Sequence, residues 1–318
     1  MARAGSERLT ADRGLSWTAA TIRGLRKTKY LQFLMLGGLA WFIIFHYVPM
    51  YGVVVAFQDY NSRIGVFRSE WVGLENFIRF FSHPYFFRLI RNTFLLSFYD
   101  LLFAFPVPIV FALLLNEVRS GAVKRSVQTI SFLPHFISLV ALVSLAALFL
   151  SPSEGVFNRF LVTLGIEPIY FLNEPGWFRP LYILTGIWQN AGWGAIIYLA
   201  AISQVDPQLY EAATIDGASR LQSMRHVTLP AIAATIIILT ILRVGALLSV
   251  GWEKVFLMYS PATYETADVI GTFLVRRGLF KADFSYGAAV GLFNSVVNLG
   301  FLIVANRLAR RYTEHSLW

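Results

Sequence analysis

Six largely apolar runs, each close to the length of a membrane crossing, constrain this chain more than any other feature of its sequence. They occupy residues 30–55, 93–115, 128–150, 180–202, 231–250 and 286–305. A helix needs about 20 mostly apolar residues to cross the hydrocarbon core of a bilayer. The runs are too long and too apolar for soluble strands, and within lipid a helix pairs its own backbone N–H and C=O groups. The predicted fold class is therefore all-α, an integral membrane protein with six transmembrane helices. Composition agrees: 56% of residues are hydrophobic and only 14% charged, against roughly 25% charged in soluble chains.

Charge sets the orientation, because cytoplasmic flanks retain Lys and Arg. With the N-terminus inside, the leader, the second and fourth connecting segments and the tail hold fifteen Lys and Arg. The longer external segments hold eleven, diluted by ten acids. Both termini are expected in the cytoplasm. The net charge of +9 is read as membrane orientation, and no nucleic-acid partner is expected, since the basic residues do not cluster in one polar domain. The first apolar run follows a long basic leader and can itself span, so no cleavable signal peptide is expected.

The predicted organisation has four parts. Residues 1–29 form a basic cytoplasmic segment, a mobile or amphipathic arm. Residues 30–90 hold the first crossing and an external aromatic-rich segment. Residues 91–306 form the core, with a polar loop at 203–230, and 307–318 form a cytoplasmic tail. In the external part, residues 67–87 are rich in Phe, Trp and Tyr and read as an interfacial helix, or alternatively as a docking surface. Pro106 and Pro108 are expected to kink the second crossing.

The loop at 206–230, DPQLYEAATIDGASRLQSMRHVTLP, is polar and helix-patterned between two apolar runs. Asp206 suits a helix N-cap and Pro207 the first helical position, where a missing N–H costs nothing. Gly217 allows a turn, Ser219 can start a second short helix, and Pro230 heads the next apolar run. Two short helices at a membrane surface follow, and the small Ala212, Ala213 and Ala218 would let another backbone approach. An ordinary amphipathic connector has the same pattern.

The letters go further. Glu211-Ala212-Ala213, three residues, Gly217, nine residues, then Val227-Thr228-Leu229-Pro230 resembles the EAA signature of binding-protein-dependent ABC importer permeases, with Val in place of the usual Ile. The segments YVPMYGVVVAFQDYN, WVGLENF, RNTFLLS, FALLLNEV, SFLPHFIS, LSPSEGVFN, ADVIGTFLVRRG, GAAVGLFNSVVN and the terminal SLW are similar to the oligo- and polysaccharide branch of that family. Overall likeness, without a diagnostic motif, points within the branch to alginate-oligosaccharide importers. The resemblance implies a type I ABC importer permease fold in a bacterial plasma (inner) membrane. It also implies that Glu211, Ala212, Ala213, Asp216, Gly217, Ala218, Leu229 and Pro230 form the contact with a cytosolic ATPase dimer. Further implied partners are a second, non-identical permease subunit and an external solute-binding protein. ATP and Mg would be used by the ATPase, and no cofactor is expected on this chain.

Within the apolar runs, two ionisable residues stand out, because charge in the membrane is costly and usually functional. Arg243 and Asp100 fall at similar depth, so they either pair with each other or line a path. On a path, a guanidinium could fork to a substrate carboxylate. On the fourth run, Trp188, Gln189, Asn190, Trp193 and Tyr198 interleave with Gly186, Gly192 and Gly194. Aromatic rings and amides suit a sugar-facing stretch, whereas Gly at such spacing also marks close helix packing. Asn294 and Asn298, four apart, are either interhelical hydrogen-bonding groups or path-lining ones.

No catalytic constellation is present. The five His are scattered without metal-ligand spacing, Cys is absent, and there is no Walker-type Gly-x-x-x-x-Gly-Lys-Ser/Thr sequence. The chain reads as a non-catalytic permease subunit of an ATP-driven oligosaccharide importer, with the sugar itself acidic if Arg243 meets it. The alternative is an ion-coupled secondary transporter with Asp100 as coupling carboxylate. That class favours internal symmetry and more intramembrane acids, and neither is seen. A membrane-embedded enzyme is disfavoured for lack of clustered His, Asp or Glu.

Overall fold

Three prolines shape the long helices. In the computed structural model, which describes residues 29–318, a π-turn ends two residues before each of Pro49, Pro106 and Pro230. The turns are Ile43–Tyr47, Asp100–Ala104 and Met224–Thr228. In each, the N–H before the proline reaches five residues back, from Val48 to Ile43, Phe105 to Asp100 and Leu229 to Met224. A proline ring collides with the carbonyl four residues earlier and donates nothing. Widening the preceding turn moves that carbonyl aside and lets the helix continue.

The first helix of the described residues is α1 (Tyr30–Phe57). Nearly all of α1 is exposed; only its last turns, Tyr51–Phe57, pack on the final helix. A two-residue hairpin follows, β1 (Gln58–Asp59) antiparallel to β2 (Glu70–Trp71), with Gln58 opposite Trp71. Next come α2 (Glu75–Phe81), α3 (Phe86–Asn116), α4 (Gly121–Phe136), α5 (Leu139–Phe149) and α6 (Val156–Thr163). Then α7 (Pro175–Ile202), α8 (Pro207–Ile215), α9 (Arg220–Ala231) and α10 (Ala233–Val244) lead to α11 (Trp252–Met258). The chain closes with α12 (Tyr264–Ala267), α13 (270–280) and α14 (Phe284–Tyr312).

Among the described residues, three helices are long and apolar enough to cross a bilayer: α1, α3 and α14. The α4–α5 and α9–α10 pairs join them if each pair, bent by 100° and 62° respectively, counts as one crossing. The 28-residue α7 is long enough, at roughly 42 Å, but Gln189 and Asn190 dilute its apolar character.

Several expectations need correction. The run at 128–150 is not one straight helix: it breaks at Ile137, where Ser138 caps α5 and Gln189 of α7 donates to the Ile137 carbonyl at 2.8 Å. The run at 231–250 stops helically at Val244, and Asn298 accepts from the Leu248 N–H beyond it. Residues 67–87 do not form one interfacial helix. They divide between the hairpin, α2 and the start of α3, because the buried Asn76 bonds the Ala56 and Gln58 carbonyls and ties α2 back to the hairpin. At Pro106 and Pro108, where a kink is expected, the chain forms a π-turn at Asp100–Ala104 while α3 continues as one helix. The basic segment expected at 1–29 lies, but for its last residue, outside the described residues.

The core has three parts. Two lie toward the start of α3: one around Leu96, Phe178, Leu181, Val255 and Met258, the other around Phe80, Leu89, Phe273, Tyr286 and Val290. The third joins the far end of α3 to α7 and α10, through Ile109, Leu113, Ala195, Ile202 and Ile232. Where α7 crosses α4, Gly192 sits against the Ser131 carbonyl so closely that any Cβ would collide.

Candidate functional site

The loop between α7 and α10 folds as two short arms. Asp206 caps α8 by accepting from the Gln208 N–H at 2.9 Å, and Pro207 follows in the first turn. Gly217 then takes φ +76°, a left-handed turn that a side chain would strain. Ser219 begins α9 with a reciprocal cap: its N–H donates to Gln222 Oε1 at 2.7 Å, and its hydroxyl accepts from the Gln222 N–H. The Tyr210 hydroxyl meets Thr228 Oγ1 at 3.0 Å and ties the arms together.

Between the arms lies an open groove of about 440 Å³. Of the sequence-predicted contact residues, Ala212, Ala213, Asp216, Gly217 and Ala218 line it. Glu211 is exposed beside the groove and makes no ion pair among the described residues. Leu229 and Pro230 stand apart, at the root of the second arm, where the chain bends into α10 over the buried Ile232. Two residues that sequence reasoning missed are Ile215 and Leu221. Both are large, apolar and strongly exposed at the tips of the arms, 86% and 73%. Their signal was a large aliphatic residue on each side of Gly217, next to the charged Asp216 and Arg220.

A second site lies inside the helix array. Arg243 Nη2 and Asp100 Oδ2 approach to 3.4 Å, so the two intramembrane charges do pair. They also line a path-like space: a cavity of about 460 Å³ shares both residues with a smaller one of about 90 Å³. The Arg243 side chain lines this space and remains 58% exposed. Asp100 is placed there by the π-turn that Pro106 requires, at the first position of that turn.

The other predicted path residues divide. Asn190 and Tyr198 line the larger cavity with Arg243. Gln189 is buried and spent on the Ile137 carbonyl, while Trp193 stacks flat on His135 at 4.5 Å. Trp188 is exposed and lines neither cavity. Asn298 is an interhelical group, accepting from the Leu248 N–H and donating to Ser249 Oγ. Asn294 lines neither cavity, and its Oδ1 is buried without a hydrogen-bond partner. The glycines of this stretch serve packing, with Gly186 against Lys254, Gly192 against Ser131 and Gly194 against Pro108.

Lys254 and Tyr182 were missed. Lys254 reads as an external surface charge, yet it is buried, donates to the Tyr182 carbonyl at 2.6 Å and lies 4.4 Å from the Tyr182 ring centroid. Nothing in its neighbours signals this. The space for it is made by Gly186, on another helix.

Comparison with known proteins adds four findings. Residues 85–314 match the family model described as binding-protein-dependent transport system inner membrane component. Protein LplB of Bacillus subtilis (strain 168) is 46% identical over 310 residues, covering 98% of this chain and 96% of that protein. The polygalacturonan/rhamnogalacturonan transport system permease protein YteP of the same organism is 49% identical over 294 residues, covering 92% of each. Among solved structures, a chain of a bacterial alginate ABC transporter, crystallised in complex with an alginate pentasaccharide-bound periplasmic protein, superposes with a TM-score of 0.85. It is 44% identical and covers 93% of this chain and 99% of its own.

Proposed function

This chain belongs to the family of binding-protein-dependent transport system inner membrane components, and from that premise we propose that it carries an acidic oligosaccharide. It is a permease subunit of an ATP-driven oligosaccharide importer, and like its relatives it is non-catalytic. ATP and Mg are used by a partner. The ion-coupled alternative, with Asp100 as coupling carboxylate, has no support among the relatives.

The acidic character of the cargo is carried by one observation, a permanently charged Arg243 that reaches into the central cavity while only loosely paired with Asp100. An N–O separation of 3.4 Å is longer than the 2.7–2.9 Å of a strong charge-assisted bond. A uronate carboxylate arriving in the cavity can take the guanidinium fork, and Asp100 holds that guanidinium when the cavity is empty. The relatives named for polygalacturonan and alginate handle polymers built from such carboxylates.

In this reading six crossings are made by α1, α3, the α4–α5 pair, α7, the α9–α10 pair and α14, with both termini in the cytoplasm of a bacterium. The α8–α9 arms then face a cytosolic ATPase dimer, with Ile215 and Leu221 as apolar anchors and Glu211 as the charged contact. A second permease subunit completes the path, and an external binding protein delivers the sugar. ATP closes the ATPase pair and draws the arms inward, shifting the helices from an inward-open to an outward-open population by differential contact.

The test is reconstitution of the assembled transporter in proteoliposomes. Oligouronates delivered by the external binding protein should stimulate ATP hydrolysis and accumulate, whereas neutral glucans of the same length should do neither. Equal accumulation of neutral and acidic sugars would remove the acidic-cargo reading and leave the permease assignment standing.

A further inference from the structure

Helix α3 ends near the coupling loop; at its start a different cavity opens. This space of about 600 Å³ lies between the beginning of α3 and the 261–281 segment. Its lining brings together four permanent cations, Arg88, Arg276, Arg277 and Lys281, against two carboxylates, Asp268 and Glu265.

One of those carboxylates is already committed. Asp268 is fully buried and holds Arg276 Nη2 at 2.6 Å and Arg88 Nη2 at 3.6 Å, while its other oxygen accepts from Thr272 Oγ1 at 2.8 Å. It works as an anchor that fixes the Arg276 guanidinium in the wall, with Arg88 held only loosely beside it. The Nε of Arg88 is buried without a hydrogen-bond partner. Arg277 and Lys281 enter no ion pair among the described residues. The excess positive field is felt by a neighbour: burial, and after it the Arg277 and Arg88 guanidiniums, hold the His83 imidazole below its ordinary value.

Aromatic rings alternate with the cations. The Arg88 guanidinium lies 4.0 Å from the Tyr85 ring centroid and that of Arg276 lies 5.0 Å from Tyr264. Planar guanidinium forks match carboxylates bidentately, and tyrosine faces accept the C–H face of a pyranose. The volume exceeds what an inorganic anion needs. In the topology proposed above, the start of α3 and the 261–281 segment lie on the external side, where cargo arrives.

We propose that this cavity is an external subsite for a uronate unit of the incoming oligosaccharide, with Arg277 and Lys281 meeting its carboxylate beside Arg88 and the fixed Arg276. The inference rests on the acidic-cargo reading, and its test separates the two. The assembled transporter in nanodiscs, without the external binding protein, is titrated calorimetrically with galacturonate and mannuronate trisaccharides, and with maltotriose as the neutral probe. The same preparations are assayed for uptake once the binding protein is restored.

Wild type should bind the uronate trisaccharides and not maltotriose. Affinity should fall about tenfold or more in Arg277→Gln/Lys281→Gln, whose side chains make no ion pair among the described residues, and in Arg88→Gln when its thermal midpoint shows it folded. Unchanged affinity in Arg277→Gln/Lys281→Gln, with acidic uptake present in wild type, overturns the subsite alone. A defect seen only with the binding protein present also overturns it, since the cavity is then a protein-docking surface. Absence of acidic uptake in wild type overturns both the subsite and the acidic-cargo reading.

Discussion

Arg243 and Glu211 show how differently two charges of one chain are used. Arg243 sits in a helix otherwise apolar, at a cost of about 2.5 kcal/mol or more on insertion scales, and its Asp100 partner is too distant to offset it with a strong bond. A half-exposed pair of this kind contributes about 1 kcal/mol or less to stability. Arg243→Leu should therefore leave the thermal midpoint of the assembled transporter within a few degrees of wild type, while oligouronate uptake falls about tenfold or more. Adding Asp100→Leu should not restore uptake. Rescue by the double substitution would mean that the pair matters only for folding. Glu211 is exposed and forms no ion pair among the described residues, so Glu211→Lys should leave insertion and assembly intact. It should nevertheless cut sugar-stimulated ATP hydrolysis and uptake together. Normal stimulation in Glu211→Lys, measured in proteoliposomes, would show that this carboxylate is not the contact.

At the scale of the elements, much of the local grammar was legible. Asp206, Pro207, Gly217 and Ser219 take the cap and turn positions that their chemistry dictates. The lining of the cavity beside Arg243 was only half legible. Of the polar residues on α7, Asn190 and Tyr198 reach the cavity, but Gln189 is diverted to a carbonyl freed by the break between α4 and α5. That break is a tertiary event, and α7's own sequence cannot announce it. Asparagines repeat the lesson. Asn76 bonds the hairpin, Asn92 the carbonyls of Glu265 and Asp268, and Asn158 those of Leu150, Ser151 and Ile169. Each lies in a segment that sequence alone could tie only to a family. Their partners are up to 176 residues distant in the chain, so the reason for them appears only in the fold. The same α4–α7 crossing makes a prediction. A Cβ at Gly192 would strike the Ser131 carbonyl, which is backbone and cannot swing away. Gly192→Ala should cost about 1–3 kcal/mol, read as a lower thermal midpoint and reduced yield of assembled transporter. Gly121→Ala, with open space around it, should change neither. Equal midpoints for the two variants would mean that the helices have room to part.

The proposed arrangement of the whole molecule across the membrane rests on three lines. Lys and Arg are denser in the segments assigned to the cytoplasm, and the six proposed crossings would place the 206–230 loop on that same side. The third line is spatial: α3 joins the basic cavity at its start to the core beside the 206–230 loop at its end, so the proposed sites of cargo arrival and ATPase contact would fall on opposite faces. The test uses the natural absence of Cys. Single Cys residues replacing Glu70, Glu167 and Glu265 would be exposed, as is one replacing Ser219 in the coupling loop. In intact cells stripped of any outer envelope, an impermeant maleimide should label the first three and spare position 219; in inverted vesicles the pattern should reverse. The bent pairs make this informative beyond orientation. If α4–α5 were a re-entrant loop instead of a crossing, the chain would return to the side it left, and position 167 would be protected in intact cells while position 70 stayed open. If α9–α10 failed to cross, position 265 would be protected while position 219 kept its cytoplasmic access. Each deviation thus identifies the helix pair responsible, and labelling at all three external positions with protection at 219 requires that both pairs cross.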